Sequence, residues 1–205
     1  MWIGEYNKSV YLTYVGTILA ISAIYFMLYN QPTEAMMCFI GSGVCDLFDG
    51  QVARSIERTE FQEHYGIEID SLCDMVSFAA VPAVLLLKAA TTLSVGFIGI
   101  LLASVYVIAA VSRLAYFNTL AKDDVVPKAT HFTGLPVTYA ALVFPVVYLI
   151  SEWLVTGSYV YTWLLFGLVL SFLFVWRKSI PKPNRQAYLF FVGLALVTLL
   201  GLWSL

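Results

Sequence analysis

Apolar runs long enough to cross a bilayer follow one another along nearly the whole chain, and that succession leaves room for one architecture. A hydrocarbon core of roughly 30 Å needs about 20 predominantly apolar residues in a helix. Seven runs meet the demand, at residues 10–29, 34–58, 66–88, 94–120, 135–153, 159–176 and 187–203. Polar, charged or Gly/Pro-containing breakers separate them at 30–32, 57–64, 91–92, 122–133, 156–158 and 181–184. With 60% hydrophobic and 12% charged residues in 205 positions, a water-soluble globular reading is excluded. The expectation is an all-α polytopic membrane protein, a single domain over residues 1–205, with about seven transmembrane helices around a polar cavity that faces the cytosol.

Charge placement supports that count. An N-terminus in the cytoplasm, followed by strict alternation, puts Lys8, Arg54, Arg58, Arg113, Lys122, Lys128, Arg177, Lys178, Lys182 and Arg185 at or near cytoplasmic helix ends, and only Lys88 outside. That segregation is the positive-inside pattern, so the expected location is the cell membrane, multi-pass, with the basic loops in contact with anionic membrane lipids. The first run follows no basic stretch and is too long for the core of a cleaved signal, so it reads as a retained span. No basic patch marks a nucleic-acid partner. Trp2, Trp153, Trp163 and Trp203 read as an interfacial belt. Cys38, Cys45 and Cys73 lie in apolar runs without metal-ligand spacing and read as small buried hydrophobes.

Four aspartates interrupt this apolar background. Asp46 and Asp49 stand in the second run, Asp70 and Asp74 in the third. An aspartate at mid-membrane costs roughly 2.5 to 3.5 kcal/mol, so four cost about 10 to 14 kcal/mol, comparable with the whole stability of a typical domain. On a helix, Asp46, Asp49, Gly50 and Ala53 share one face, and Gly66, Asp70 and Asp74 repeat every fourth position. Two facing helices therefore present four carboxylates to one point, beside small residues that let a ligand approach the backbone. A lone membrane aspartate is also explained as a hydrogen-bonded packing residue or a proton relay; four on two such faces favour a ligand. Glu68 points away from this face.

Hard divalent cations take oxygen ligands, and Mg²⁺ is commonly held by carboxylates together with substrate phosphates. Two such ions fit four carboxylates and a diphosphate, and Arg54, one turn beyond Gly50, is placed to pair with phosphate oxygens. Phosphoryl transfer uses this combination, with a carboxylate to receive the proton of an incoming hydroxyl.

The two runs, Asp46–Arg54 and Gly66–Asp74, resemble the signature of the CDP-alcohol phosphotransferase family, D-x-x-D-G-x-x-A-R followed by G-x-x-x-D-x-x-x-D, with every fixed position present. The spacer at 55–65 is 11 residues, against about eight usually seen in that family. Asp70-Ser71-Leu72-Cys73-Asp74-Met75-Val76-Ser77-Phe78 is similar to the third helix of the serine-using branch. Arg113-Leu114-Ala115-Tyr116-Phe117-Asn118 and Phe132-Thr133-Gly134-Leu135-Pro136 are similar to two further runs of that branch, with Tyr116 where it usually has arginine and Ala79 where it usually has glycine.

The resemblance implies transfer of the phosphatidyl group of a CDP-linked lipid, CDP-diacylglycerol or an archaeal counterpart, to L-serine with release of CMP. It implies that Asp46, Asp49, Asp70 and Asp74 hold two Mg²⁺ or Mn²⁺ ions, that Asp46, Gly50, Ala53 and Arg54 seat the CDP moiety, that Asp74 takes the serine hydroxyl proton, and that the protein is a homodimer. For the serine zwitterion, Arg113 is the candidate cation, with Asn118 a weaker partner; snorkelling to the headgroups is the plainer role for Arg113. His131 reads as a solvated loop residue, and His64, in the longer spacer, is assigned no role. Pro82 is expected to kink the third span and Pro136 to open a helix. Two alternatives stand beside this reading: the same chemistry on another acceptor (glycerol phosphate, inositol phosphate, choline), and a divalent-cation or proton-coupled transporter whose aspartates line a pathway.

Overall fold

A computed structural model describes residues 4–6, 8–122, 131–181 and 185–205. Helices α1 (Lys8–Leu28) and α2 (Pro32–Arg54) form a hairpin. Asn30, at φ 59°, makes the tight turn between them, and Pro32 opens α2 at a position where its missing N–H leaves no orphan. The next rod is continuous: α3 (Glu60–Asp74), a π-helical segment Met75–Ala80, and α4 (Val81–Thr92). It is followed by α5 (Gly96–Lys122), a 3₁₀ turn Val137–Tyr139 leading into α6 (Ala140–Leu154), α7 (Tyr159–Val175) and α8 (Arg185–Trp203). Among the described residues this makes seven helical rods.

Among the described residues four stretches are long and apolar enough to cross a membrane, Val10–Leu28, Glu60–Thr92, Gly96–Leu120 and Val137–Leu154; Tyr159–Val175 and Ala187–Trp203 are shorter apolar helices. Helix α2, expected as a span, is not among them, because Asp46, Asp49 and Gln51 dilute its apolar character. Lys128 and Lys182, used above for orientation, and Trp2 lie outside the described residues, as do the side chains of Lys8, Lys122, His131 and Arg185.

The rods meet over an aromatic core. Tyr106 of α5 packs edge-on against Phe174 of α7 at 5.4 Å between ring centres, and Phe39 of α2 lies 6.3 Å from Phe78. Trp163 belongs here and not to an interfacial belt: it is fully buried, touches Phe144, Tyr148 and Tyr159, and donates its indole N–H to the Phe144 carbonyl at 3.4 Å. Trp153 and Trp203 are exposed, as a belt requires. Large apolar side chains such as Ile18, Ile108 and Phe172 also face outward, as surfaces in contact with lipid must.

Three local features depart from the sequence expectation. Helix α2 ends at Arg54 instead of running to Arg58, and α3 begins at Glu60, before the expected span, behind a capping box in which Thr59 and Gln62 satisfy each other's backbone N–H groups. The irregularity assigned to Pro82 appears one turn earlier, as the π segment; Val81 N–H bonds to the Val76 carbonyl, and the buried Tyr106 hydroxyl donates to the Phe78 carbonyl at 3.2 Å. The helical architecture also carries a small antiparallel ribbon, β1 (His131–Thr133) against β2 (Ser179–Pro181), which no strand-length pattern announced. It ends at Gly134, whose φ of 76° and whose N–H bond to the Lys178 carbonyl at 3.0 Å turn the chain into α6.

Candidate functional site

The carboxylate centre is assembled from α1, α2 and α3. Gly16 of α1 packs against α2, where an added Cβ would lie 3.1 Å from Cys45 Cβ, and this close approach brings the adjacent turn of α1 over Asp49. There Thr13 Oγ1 donates to Asp49 Oδ2 at 2.8 Å. Asp49 is buried, and one carboxylate oxygen each from Asp46, Asp49 and Asp70 lie within 4.8 Å of one another. Asp74 stands one turn deeper than Asp70, within hydrogen-bonding reach of Asp46, which also meets the Thr138 side chain at the start of the α6 rod.

Such an arrangement needs positive charge. Two ionised carboxylates 4.8 Å apart repel by about 3.5 kcal/mol at an effective dielectric of 20, and three pairs of that kind are not offset by neutral hydrogen bonds such as those from Thr13 and Thr138. Among the described residues no cationic side chain forms an ion pair with Asp46, Asp49 or Asp70. The donors are all hard oxygens in one cluster, which suits Mg²⁺ or Mn²⁺ and not a thiophilic metal. Cys73 is buried, and Cys38 and Cys45 are half-buried; all three are free thiols.

Two cavities open beside the centre. One, of about 200 Å³, is lined by Thr13, Asp49, Gly50, Ala53, Arg54 and Asp70, together with Arg58, Gly66 and apolar neighbours. The other, of about 190 Å³, is lined by Ser112, Arg113, Tyr116, Phe174, Trp176 and Arg177. Arg113 is 92% buried (8% exposed), stacks over the Phe117 ring at 4.4 Å, and keeps its Nε without a hydrogen-bond partner among the described residues. It lies within Coulombic range of Asp74 and Asp46, so it faces both the second cavity and the acidic centre, which plain snorkelling does not explain. Asn118, five positions on, instead accepts the Ser71 hydroxyl at 2.8 Å and ties α5 to α3.

Sequence reasoning brought together Asp46, Asp49, Gly50, Ala53, Arg54 and Asp70; the structure places the last five around one cavity, and Asp46 beside it, clustered with Asp49 and Asp70. It missed Thr13, Thr138, Arg58 and Arg177. The first two carry no signal in a single sequence; the third had one, the lengthened spacer. Glu68 is exposed, as expected, and the exposed His64 lies 3.9 Å from Glu60 one turn earlier on α3. Gly201 serves packing within the chain, since an added Cβ would sit 2.6 Å from a Leu149 methyl, whereas Gly193 faces open space.

Apolar helical rods, a cluster of carboxylates set within them and flanking guanidiniums define a polar centre in a multi-pass helical protein. Residues 7–173 match the CDP-alcohol phosphatidyltransferase family, and the chain belongs to it. That membership places it among transferases and sets aside the transporter alternative. A Mycobacterium tuberculosis protein named CDP-diacylglycerol–serine O-phosphatidyltransferase is 35% identical over 134 residues, covering 64% of this chain and 45% of its own. A Bacillus subtilis protein of the same name is 28% identical over 179 residues, 86% of this chain and 90% of its own. An archaetidylserine synthase of Methanothermobacter thermautotrophicus is 35% identical over 114 residues, 56% and 43% respectively. The chain thus spans less than half the length of the mycobacterial relative.

Proposed function

We propose that this chain, as one domain over residues 1–205, transfers the phosphatidyl group of CDP-diacylglycerol, or the corresponding group of a CDP-linked archaeal lipid, to L-serine. The observation that carries the reading is the clustering of Asp46, Asp49 and Asp70 oxygens within 4.8 Å, beside a cavity that holds Arg54. The names of the bacterial and archaeal relatives support the serine acceptor.

In this account Asp46, Asp49, Asp70 and Asp74 hold two Mg²⁺ or Mn²⁺ ions. When bound, such ions neutralise charge on the transferred and leaving phosphates. Gly50 and Ala53 leave the backbone of α2 open to the CDP moiety, which Asp46 also borders, and Arg54 pairs with its phosphate oxygens. Arg113 receives the serine carboxylate in the second cavity, where Arg177 adds a second positive charge. Asn118, held by Ser71, orients the serine from the side. The serine hydroxyl oxygen forms a bond to the lipid-side phosphorus as that phosphorus loses its bridging oxygen to CMP, and Asp74 takes the hydroxyl proton. A loose transition state demands that proton late, which suits a weak base.

The cavity faces the cytoplasm in this account, where the acceptor and the CDP-lipid headgroup are found, and the active form is a homodimer, as the family resemblance implies. Purified protein in detergent, given CDP-diacylglycerol with L-serine, glycerol 3-phosphate, inositol 1-phosphate or choline in turn, is expected to release CMP with serine alone. Release only with a phosphorylated polyol overturns the acceptor and leaves the family chemistry standing.

A further inference from the structure

Arg58 belongs to neither carboxylate motif. It sits in the 11-residue connection that is longer than the family's usual spacer, and the sequence reading treated it as a topology charge at a helix end. The structure gives it another position. Helix α2 stops at Arg54, where the Ser55 N–H and hydroxyl both close on the Val52 carbonyl at 3.0 and 2.8 Å, and α3 is started by the Thr59 capping box. The short turn between these two stops is fixed at both ends, and from it the Arg58 side chain folds back into the cavity lined by Asp49, Gly50, Ala53, Arg54, Gly66 and Asp70. Only 18% of that side chain is exposed, and Glu63 Oε1 lies 4.0 Å from its Nη2, loosely tethering the guanidinium from the solvent side.

The walls of the cavity are matched. A Cβ on Gly66 would come within 3.3 Å of Arg58 Nη1, and a Cβ on Gly50 within 3.5 Å of Arg54 Nη1. Arg54 of α2 therefore lays its guanidinium over Gly50 of the same helix, and Arg58 of the connection lays its own over Gly66 of α3, both in front of the carboxylates. Neither arginine is ion-paired with Asp46, Asp49 or Asp70 among the described residues. Two forked donors that flank an acidic cluster without neutralising it suit a ligand with several adjacent anionic oxygens lying between them.

We infer that Arg58 is a second phosphate-binding arm, which grips the diphosphate of the CDP-linked donor opposite Arg54. This rests on the donor proposed above. The longer connection is then what delivers an extra cation into the site.

Full-length protein in detergent with Mn²⁺, titrated calorimetrically with CDP and with CMP, tests the inference. Arg58→Gln is expected to weaken CDP about tenfold or more, the range of one charge-assisted hydrogen bond, and CMP by clearly less. Arg58→Lys is expected to recover part of the loss. Unchanged CDP affinity in Arg58→Gln, or equal losses for CDP and CMP, overturns the assignment while leaving the donor in place. Absence of CDP binding by the unsubstituted protein overturns the donor reading, and this inference with it.

Discussion

Thr13 reaches across from α1 and donates its hydroxyl to Asp49 Oδ2 at 2.8 Å, joining a residue outside both aspartate motifs to the most buried carboxylate of the centre. The bond occupies one oxygen of Asp49 and sets the rotation of the carboxylate, so it determines which lone pairs face the cluster. Outer contacts of this kind typically change metal affinity by about 10- to 100-fold. Thr13→Val, which keeps the shape and removes the hydroxyl, is expected to weaken Mn²⁺ binding by that amount. Thr13→Ser is expected to retain it. Calorimetric or paramagnetic-resonance titration of purified protein checks both, and equal affinity in Thr13→Val would remove Thr13 from the site.

Arg113 carries the acceptor side of the account. Its buried guanidinium is stacked on Phe117 and borders a cavity that also holds Arg177. Arg113→Lys keeps a charge and loses the planar fork and the stacking, so the change is not conservative here. The expected outcome is a KM for L-serine raised by about tenfold or more, with the KM for the CDP-linked lipid within about twofold of the unsubstituted protein. A rise confined to the lipid KM would move Arg113 to the donor side.

Tyr106 supports the π segment that follows Asp74. Its fully buried hydroxyl serves the Phe78 carbonyl in the turn before Pro82, where the proline offers no N–H. Tyr106→Phe leaves that acceptor without its partner and is expected to cost about 1 to 2 kcal/mol, lowering the thermal midpoint by roughly 2 to 6 °C. An unchanged midpoint would show that the carbonyl finds another donor.

Gly134 is sterically constrained in two ways. Its φ of 76° favours glycine, and a Cβ there would fall 2.6 Å from the Phe174 carbonyl oxygen, a backbone atom that cannot swing aside. Gly134→Ala is expected to destabilise the protein by about 2 kcal/mol or more. Because the same turn leads to Thr138 beside Asp46, metal binding is expected to weaken along with the thermal midpoint. A stable variant with normal metal affinity would contradict that coupling.

How far the sequence could be read depended on the range of the interactions involved. Asp46, Asp49 and Gly50 on one face, and Asp70 with Asp74 on another, follow from helical periodicity alone, and an aspartate in an apolar run stands out because it is costly there. Thr13, 36 positions from Asp49, joins the site only through the close packing of α1 on α2, which Gly16 permits and no local pattern states. Trp163 read as a belt residue from its position near a span end, yet its ring fills the core between Phe144 and Tyr148. Arg58 read as a helix-end charge because α2 was extended through it; the stop at Ser55 and the restart at Thr59 depend on capping chemistry that is weak in sequence and decisive in the chain. The ribbon of β1 and β2 has three residues a side and is held by main-chain pairing, which leaves no side-chain signature.

The central claim is that the four-aspartate centre drives serine-dependent transfer of a phosphatidyl group. The most direct measurement is incorporation of labelled L-serine into lipid by detergent-purified protein supplied with CDP-diacylglycerol and Mn²⁺, compared with the Asp74→Asn variant and with a chelator-treated sample. The account predicts labelled lipid and equimolar CMP from the unsubstituted protein, and a loss of at least a hundredfold in both controls. Labelled lipid formed at an undiminished rate by Asp74→Asn, or no serine incorporation by the unsubstituted protein with metal present, would contradict it.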